Sequence, residues 1–322
     1  MNQHIPSLSP RLVTTGGNYP SEIAHIDWLA FTVKFTETKD LNWLAKALRQ
    51  FIPHLVLKST GKGWNGYKER FDITHADYQG VDFGLIAHGG KNQRGTCSIQ
   101  LNAQACALIT DWQALKTWCE QHDSKITRID LAHDDFTGDV LSIAKSLQWF
   151  KEGLFSNNGA RKGVTAVKPR LIDDLDSGDG KTLYVGNRKS GKMLRIYEKG
   201  KQLGDKLSQW VRAEVELKHK DRVIPWDVLV NPSHYLAATY PCFGYLSQIQ
   251  VKIKTIGKAA KISIESSTHH LRNMGGKLIN VLMMQHHGDA FEVIKLIKRE
   301  GIPKRLENYA ALLPQVLQGG DE

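Results

Sequence analysis

The 322-residue chain carries 43 Lys and Arg against 33 Asp and Glu, a net charge of +10 with a pI near 9.3, and 41% of its residues are hydrophobic. That balance excludes a largely disordered chain and predicts a surface that attracts polyanions, nucleic acid first among them. No stretch reaches the roughly 18 apolar residues of a membrane span. The opening MNQHIPSLSP lacks the apolar run of a secretory leader, and Cys97, Cys106, Cys119 and Cys242 follow no CxxC or Cys–His spacing; the expectation is reduced thiols in a cytoplasmic protein, with no zinc finger.

Residues 1–21 are polar, with Pro and a Gly pair, and read as a flexible arm. The apolar, β-prone run from Ile23 to Val33 predicts a strand. A capping Thr or Asp in TETKD then opens a helix over LNWLAKALRQFI, where Trp43, Leu44, Ala47, Leu48 and Phe51 recur at helical spacing. VDFGLIAH and TCSIQL predict strands on either side of the turn GGKNQRG, and TDWQALKTWCEQH predicts an amphipathic helix. A second pass begins at 126–132, ITRIDLA, a strand again carrying Ile-Asp, followed by a helix over VLSIAKSLQWF and a hairpin over KTLYVGNRKSGKMLRIYEK. The expected fold class is therefore α+β, a mainly antiparallel sheet built from two related strand–helix–hairpin units, with a helical C-terminal region. Between Gly153 and that hairpin, SNNGARKGVTAVKPRLIDDLDSGDG reads as a mobile loop with a basic half (Arg161, Lys162, Lys168, Arg170) and an acidic half. Beyond Lys220, mixed strand signals run to about Glu265, then helices broken at Gly275–Gly276, Gly288 and Gly301–Pro303. The domain reading is 1–21, 22–220 and 221–322, the last a mixed or helical region for DNA binding or assembly.

Three strands combine one greasy face with one ionisable face, as a side-chain period of two allows. Arg128, Asp130, Ala132 and Asp134 share a face opposite Ile129 and Leu131. Arg195, Tyr197 and Lys199 lie opposite Leu194 and Ile196, and Arg212, Glu214, Glu216 and Lys218 lie opposite Val211, Ala213, Val215 and Leu217. Brought into one sheet, such faces suit phosphoryl transfer: a hard cation, Mg²⁺ or Mn²⁺, between carboxylates, arginine forks on phosphate oxygens, and a phenol as nucleophile. Alternation alone fits equally a solvated sheet surface laced with cross-strand ion pairs.

The run GKTLYVGNRKSGKMLRIYEK resembles the active-site segment of the Rep_trans family, whose Tyr-x-Gly-x-Arg-x-Ser hairpin leads into Arg-Ile-Tyr and a Lys; here the pattern is met by Tyr184, Gly186, Arg188, Ser190, Arg195, Ile196, Tyr197 and Lys199. TRIDLAHDD at 127–135, VRAEVELK at 211–218 and, more loosely, GTCSIQLNAQAC at 95–106 are similar to flanking segments of that family, in the same order. The filamentous-phage replication initiation proteins of the cholera-toxin-phage type are the nearest subgroup. The resemblance implies a rolling-circle initiator, 22–220 being its nicking domain, that opens one strand of double-stranded origin DNA and stays joined to the 5′ end, leaving a 3′ hydroxyl primer. It implies Tyr197 as nucleophile, Arg195 beside it as a catalytic residue, Asp130, Glu214 and Glu216 as ligands of Mg²⁺ or Mn²⁺, and Asp27 in a structural role. Implied partners are origin DNA, a host replicative helicase and polymerase, and a second copy of the chain. No pair of the 13 histidines flanks one apolar residue, as the HUH-type relaxases require, and His88 and His133 read as structural.

For DNA contact the expected residues are Arg128, Arg188, Lys189, Lys192, Lys199, Arg212 and Lys218, with Arg188, Lys189 and Lys192 at a glycine-flanked hairpin tip. GKGWNGYKER at 61–70 interleaves basic and aromatic residues in a way that suits either base stacking or an ordinary turn. Two other readings stay open: a DNA-binding initiator or repressor without catalysis, and a tyrosine recombinase, for which Tyr309 is the C-terminal tyrosine.

Overall fold

A computed structural model of the chain describes residues 24–156, 168–250 and 258–301. The expected arm, Arg161 and Lys162, the Pro303 break and Tyr309 lie outside the described residues.

The strands are β1 (Ala24–Lys34), β2 (Leu55–Ser59), β3 (Glu69–His75), β4 (Gly84–His88), β5 (Thr96–Leu101), β6 (Ser124–Asp135), β7 (Pro169–Ile172), β8 (Thr182–Asn187), β9 (Lys192–Glu198) and β10 (Val211–Lys218). All join one antiparallel sheet in the order β2-β3-β4-β5-β1-β6-β10-β9-β8-β7. β1 and β6 pair at its centre, and the order reads alike outward from them, through β5 to β2 on one flank and β10 to β7 on the other.

The helices are α1 (Leu41–Phe51), α2 (Ala103–Leu108), α3 (Trp112–Glu120), α4 (Ile143–Lys151), α5 (Lys199–Gln202), α6 (Pro232–Ala237), α7 (Lys258–Gln285) and α8 (Ala290–Ile297). Side-chain oxygens of Asp40, Asn102, Asp111 and Ser142 accept from the first free N–H groups of α1 to α4, which fixes where those helices start. Leu44 and Leu48 of α1, Leu115 of α3, Trp149 of α4 and Leu236 of α6 form one core with Leu29, Phe31, Ile129, Leu131, Leu194, Ile196 and Val215 of the sheet. Each such buried aliphatic or aromatic side chain contributes about 1.5–3 kcal/mol. The helices thus take the greasy face of the central strands, and the alternate residues are left to the opposite face.

The α+β class, the antiparallel sheet and the helical C-terminal region are as expected. Several local readings are corrected. The stretch after α1 holds the hairpin of β2 and β3, absent from the sequence reading, and the supposed loop contains edge strand β7, which begins at Pro169 where no ladder donor is needed. Beyond Lys220 the described residues form short helices, Trp226–Leu229, α6 and Pro241–Leu246, and no strand. α7 runs unbroken through Gly275 and Gly276, while Gly288, at φ 85°, does end its path. The chain divides into two compact units: one reaches to Lys220 and resumes over Ile224–Ile253, the other comprises Asp221–Val223 and the chain from Lys254 onward.

Candidate active site

The register of β6, β10 and β9 decides which ionisable side chains meet. Glu216 lies opposite Asp130, Glu214 opposite both Ala132 and Arg195, and Arg212 opposite both Asp134 and Tyr197. Cross-strand partners share a face, so the three polar faces anticipated above fall on one side of one sheet.

Two clusters result. In the first, Arg128 forks onto Asp130 (Nε–Oδ1 2.8 Å, Nη2–Oδ2 2.5 Å) and its Nη2 also lies 3.1 Å from Glu216 Oε2. Lys218 Nζ reaches Glu216 Oε1 at 3.0 Å. Arg195 pairs with Glu214 Oε1, and the Tyr197 hydroxyl donates to Glu214 Oε2 at 3.2 Å. Asp130 and Glu214 are both buried, at 1% exposure each, on the same face of the sheet. Burial, opposed by Arg128 and reinforced by Glu214, raises the Asp130 carboxyl to about 7. Burial and the Glu214 charge likewise hold the Tyr197 phenol above its usual range, against the pull of Arg212 and Arg195.

In the second cluster, Arg212 makes three charge-assisted bonds: Nε and Nη2 each lie 2.7 Å from an Asp134 oxygen and Nη1 lies 2.6 Å from Asp27 Oδ1. Trp210 Nε1 adds a 2.7 Å bond to Asp134. Burial would raise the Asp134 carboxyl, but the Arg212 fork outweighs it and holds the group below the ordinary carboxylate range. Asp27 follows core-facing Ile26 and so shares the face of His25, and a register shift between Ile26 and Trp28 brings Trp28 opposite Asp130 on that face as well.

These contacts sort the expected DNA residues. Arg188 and Lys189 stand exposed at the β8–β9 tip, where Gly186 (φ +90°) and Gly191 (φ +74°) adopt backbone that side chains disfavour. Arg212 is buried and paired with two carboxylates, Asp27 and Asp134. The Lys192 ammonium donates to the Thr239 carbonyl at 2.9 Å and sits 3.9 Å from the Tyr240 ring centre. Lys199, half-buried 5.6 Å from the Tyr197 ring centre, and Arg128 and Lys218, tied to carboxylates, line the site itself. Tyr184 lies opposite Arg195 on β8, with Arg170 5.2 Å above its ring. His133 is buried beside Tyr245, and His88 stacks on Phe71 on the other flank.

Among the described residues no three His, Cys, Asp or Glu side chains converge so as to hold a metal ion. Of the expected carboxylates, Glu216 pairs with Lys218 and Arg128, Glu214 with Arg195 and Tyr197, and Asp130 with Arg128. Asp130 and Glu214 are hard oxygen donors of the kind that hold Mg²⁺ together with substrate phosphates.

The profile of the replication initiation factor family matches residues 124–297. NicK of Bacillus subtilis (strain 168), named as a candidate DNA relaxase, is 26% identical over 191 residues, covering 52% of this chain. The chain spans 49% of that relative's length, about half of it. A rolling-circle replication initiator protein from Geobacillus stearothermophilus is similar in fold, with a TM-score of 0.52 and 20% identity over 72% of this chain and 98% of that one.

Proposed function

The chain belongs to the replication initiation factor family, and from that premise we propose that it is a rolling-circle initiator that nicks one strand of origin DNA with Tyr197. The observation that carries the reading is the Tyr197 hydroxyl donating to Glu214 at 3.2 Å, with Arg195 on the same carboxylate. A phenol held above its usual pKa is a poor nucleophile until its proton has somewhere to go, and Glu214 is already in reach. As the phenol oxygen bonds to phosphorus, its proton passes to Glu214 and the bond from phosphorus to the 3′ oxygen breaks. The leaving oxygen takes up a proton to become the primer hydroxyl, and the 5′ phosphate stays on Tyr197. Protonation frees Arg195 from the Glu214 charge and lets its fork hold the non-bridging oxygens. Mg²⁺ or Mn²⁺ held by Asp130, with Glu214 left to take the proton, would supply charge neutralisation at those oxygens. Arg212 keeps β1, β6 and β10 locked behind Tyr197, a positioning role.

The test incubates the protein with supercoiled DNA carrying its replicon's own origin, with Mg²⁺ or with chelator, and maps any covalent adduct. The expected result is Mg²⁺-dependent nicking and a phosphotyrosine at Tyr197. An adduct on Tyr184 would overturn the nucleophile, and undiminished nicking in chelator would remove the metal.

A further inference from the structure

On the same face of the sheet, across β6 from the carboxylates, lies a cavity of about 560 Å³ whose walls include Trp28, Trp64, Gln100, Arg128, Lys218 and Lys220. We infer that it receives one unpaired base of the origin strand, flipped out beside the nick, with Trp64 as its stacking platform. This rests on the nicking reading above and adds to it the part of the substrate that the sheet grips.

The wall chemistry selects the occupant. Two indoles offer π surface to any base, and the amides of Gln100 and of Asn65 beside Trp64 can meet a base edge; Arg128, Lys218 and Lys220, paired with Asp130, Glu216 and the Lys189 carbonyl, add positive charge to the wall. An aliphatic or acidic ligand would leave one of these sets idle. The volume falls within the range of pockets that enclose a small ligand, roughly 300–1,000 Å³.

Trp64 is held ready. Its N–H donates to the Tyr67 carbonyl at 3.1 Å and the Tyr67 N–H returns a bond at 2.8 Å, closing a two-residue turn. Asn65 (φ 46°) and Gly66 (φ 85°) are both left-handed, as an Asn-Gly hairpin turn demands. The Tyr67 hydroxyl, 3.0 Å from Thr96 Oγ1, ties that turn to β5. Little order remains to be imposed when a base stacks on it.

The floor is linked to the chemistry. The Arg128 guanidinium lies 4.7 Å above the Trp28 ring while forking onto Asp130 and touching Glu216. Trp28 sits opposite Asp130 in the register, and its indole N–H is buried with no acceptor.

The experiment measures binding of a fluorescent single-stranded origin oligonucleotide, intact or with one abasic position moved stepwise past the nick. It uses Tyr197→Phe protein, with and without Trp64→Ala. The expected loss from Trp64→Ala is roughly 5- to 150-fold, the worth of one base–aromatic stack. One abasic position should cost the parent the same factor and cost the Trp64→Ala protein nothing further, and Trp64→Phe should restore most of the affinity. If Trp64→Ala binds like the parent, or if abasic penalties are equal in both proteins at every position, the base pocket is wrong. Nicking by wild-type protein, run in parallel, separates the two ideas: normal nicking with additive penalties sinks the pocket alone, whereas no nicking and no adduct sinks the catalytic reading.

Discussion

On the flank of the sheet from β6 to β10, Asp130, Asp135, Arg212, Glu214 and Glu216 are all buried; among the described residues of the flank from β1 to β5, the buried polar side chains are His75 and Ser98. Each flank has an Arg and an Asp two residues apart on one strand, yet Arg70 and Asp72 have side chains 36% and 40% exposed, and Arg128 and Asp130 26% and 1%. The family profile begins at Ser124, the first residue of β6. One strand order therefore supports two chemistries. Burying charge costs several kcal/mol per ion unless it is paired, and only the second flank bears that cost, in the face where Tyr197 lies. Sites that perturb pKa values through burial and close charge partners are where function concentrates.

The sharpest way to break this contrast is to remove one oxygen from each flank. Tyr197→Phe should abolish nicking of supercoiled origin DNA while keeping origin affinity. Tyr67→Phe, which loses only the bond to Thr96, should nick within about fivefold of wild type, since one neutral hydrogen bond is worth about 1 kcal/mol. Equal activity of the two variants would dissolve the distinction between flanks.

Next in size is stability. Arg212→Met strands Asp27 and Asp134 without their cation and should cost about 3–5 kcal/mol in a denaturant titration. Arg70→Met, at an exposed pair, should cost less than about 1 kcal/mol. Comparable losses would mean that the charged face is no more than a surface network.

Much of the second flank was legible because strands alternate: ITRIDLAHD, RIYEK and VRAEVELK each declare a polar face, and the antiparallel register then forces those faces together. The pairing of Asp27 with Arg212, 185 residues away in sequence, was not legible, because it reaches across β6 and depends on the strand order β1-β6-β10. Nor was the use of Lys192, whose partners lie beyond residue 230 in a segment that reads as strand and folds as short helices. The Gly275–Gly276 pair misled for another reason: two glycines weaken a helix by about 1 kcal/mol each, which 26 flanking helical positions outweigh. WNGYK was legible as a turn, but only the sheet brings it beside Arg128.

A smaller effect comes from pH. Unfolded Asp130 ionises near 3.9, and folded Asp130 near 7. Below the lower value both forms are neutral and the burial costs nothing. Between the two only the unfolded chain ionises, so stability falls as pH rises, and above the upper value the cost stays constant. Asp130→Asn removes this cost. Its Tm should exceed that of wild type at about pH 8 and match it near pH 4, although nicking is lost. A wild-type advantage at the higher pH would mean that the fork from Arg128 outweighs desolvation.

The smallest expected effect concerns the hairpin tips. The β8–β9 tip presents Arg188, 61% exposed in its side chain, and exposed Lys189, whereas the β3–β4 connection, 76–83, contains no Lys or Arg. Each cation that displaces counterions from phosphate contributes close to one unit to the slope of log affinity against log salt. Arg188→Ala with Lys189→Ala should therefore reduce that slope by about two and weaken origin and unrelated DNA alike. Lys192→Ala should leave the slope unchanged, because that ammonium is committed to Thr239 and Tyr240. Gln79→Ala, in the β3–β4 connection, should leave it unchanged as well. A slope that falls with Lys192→Ala but not with the double variant would move the phosphate grip inward from the tip to the strand. Because the slope counts ions and not bases, this measurement reads the electrostatic contact separately from the base pocket, whose loss should change affinity and leave the salt dependence intact.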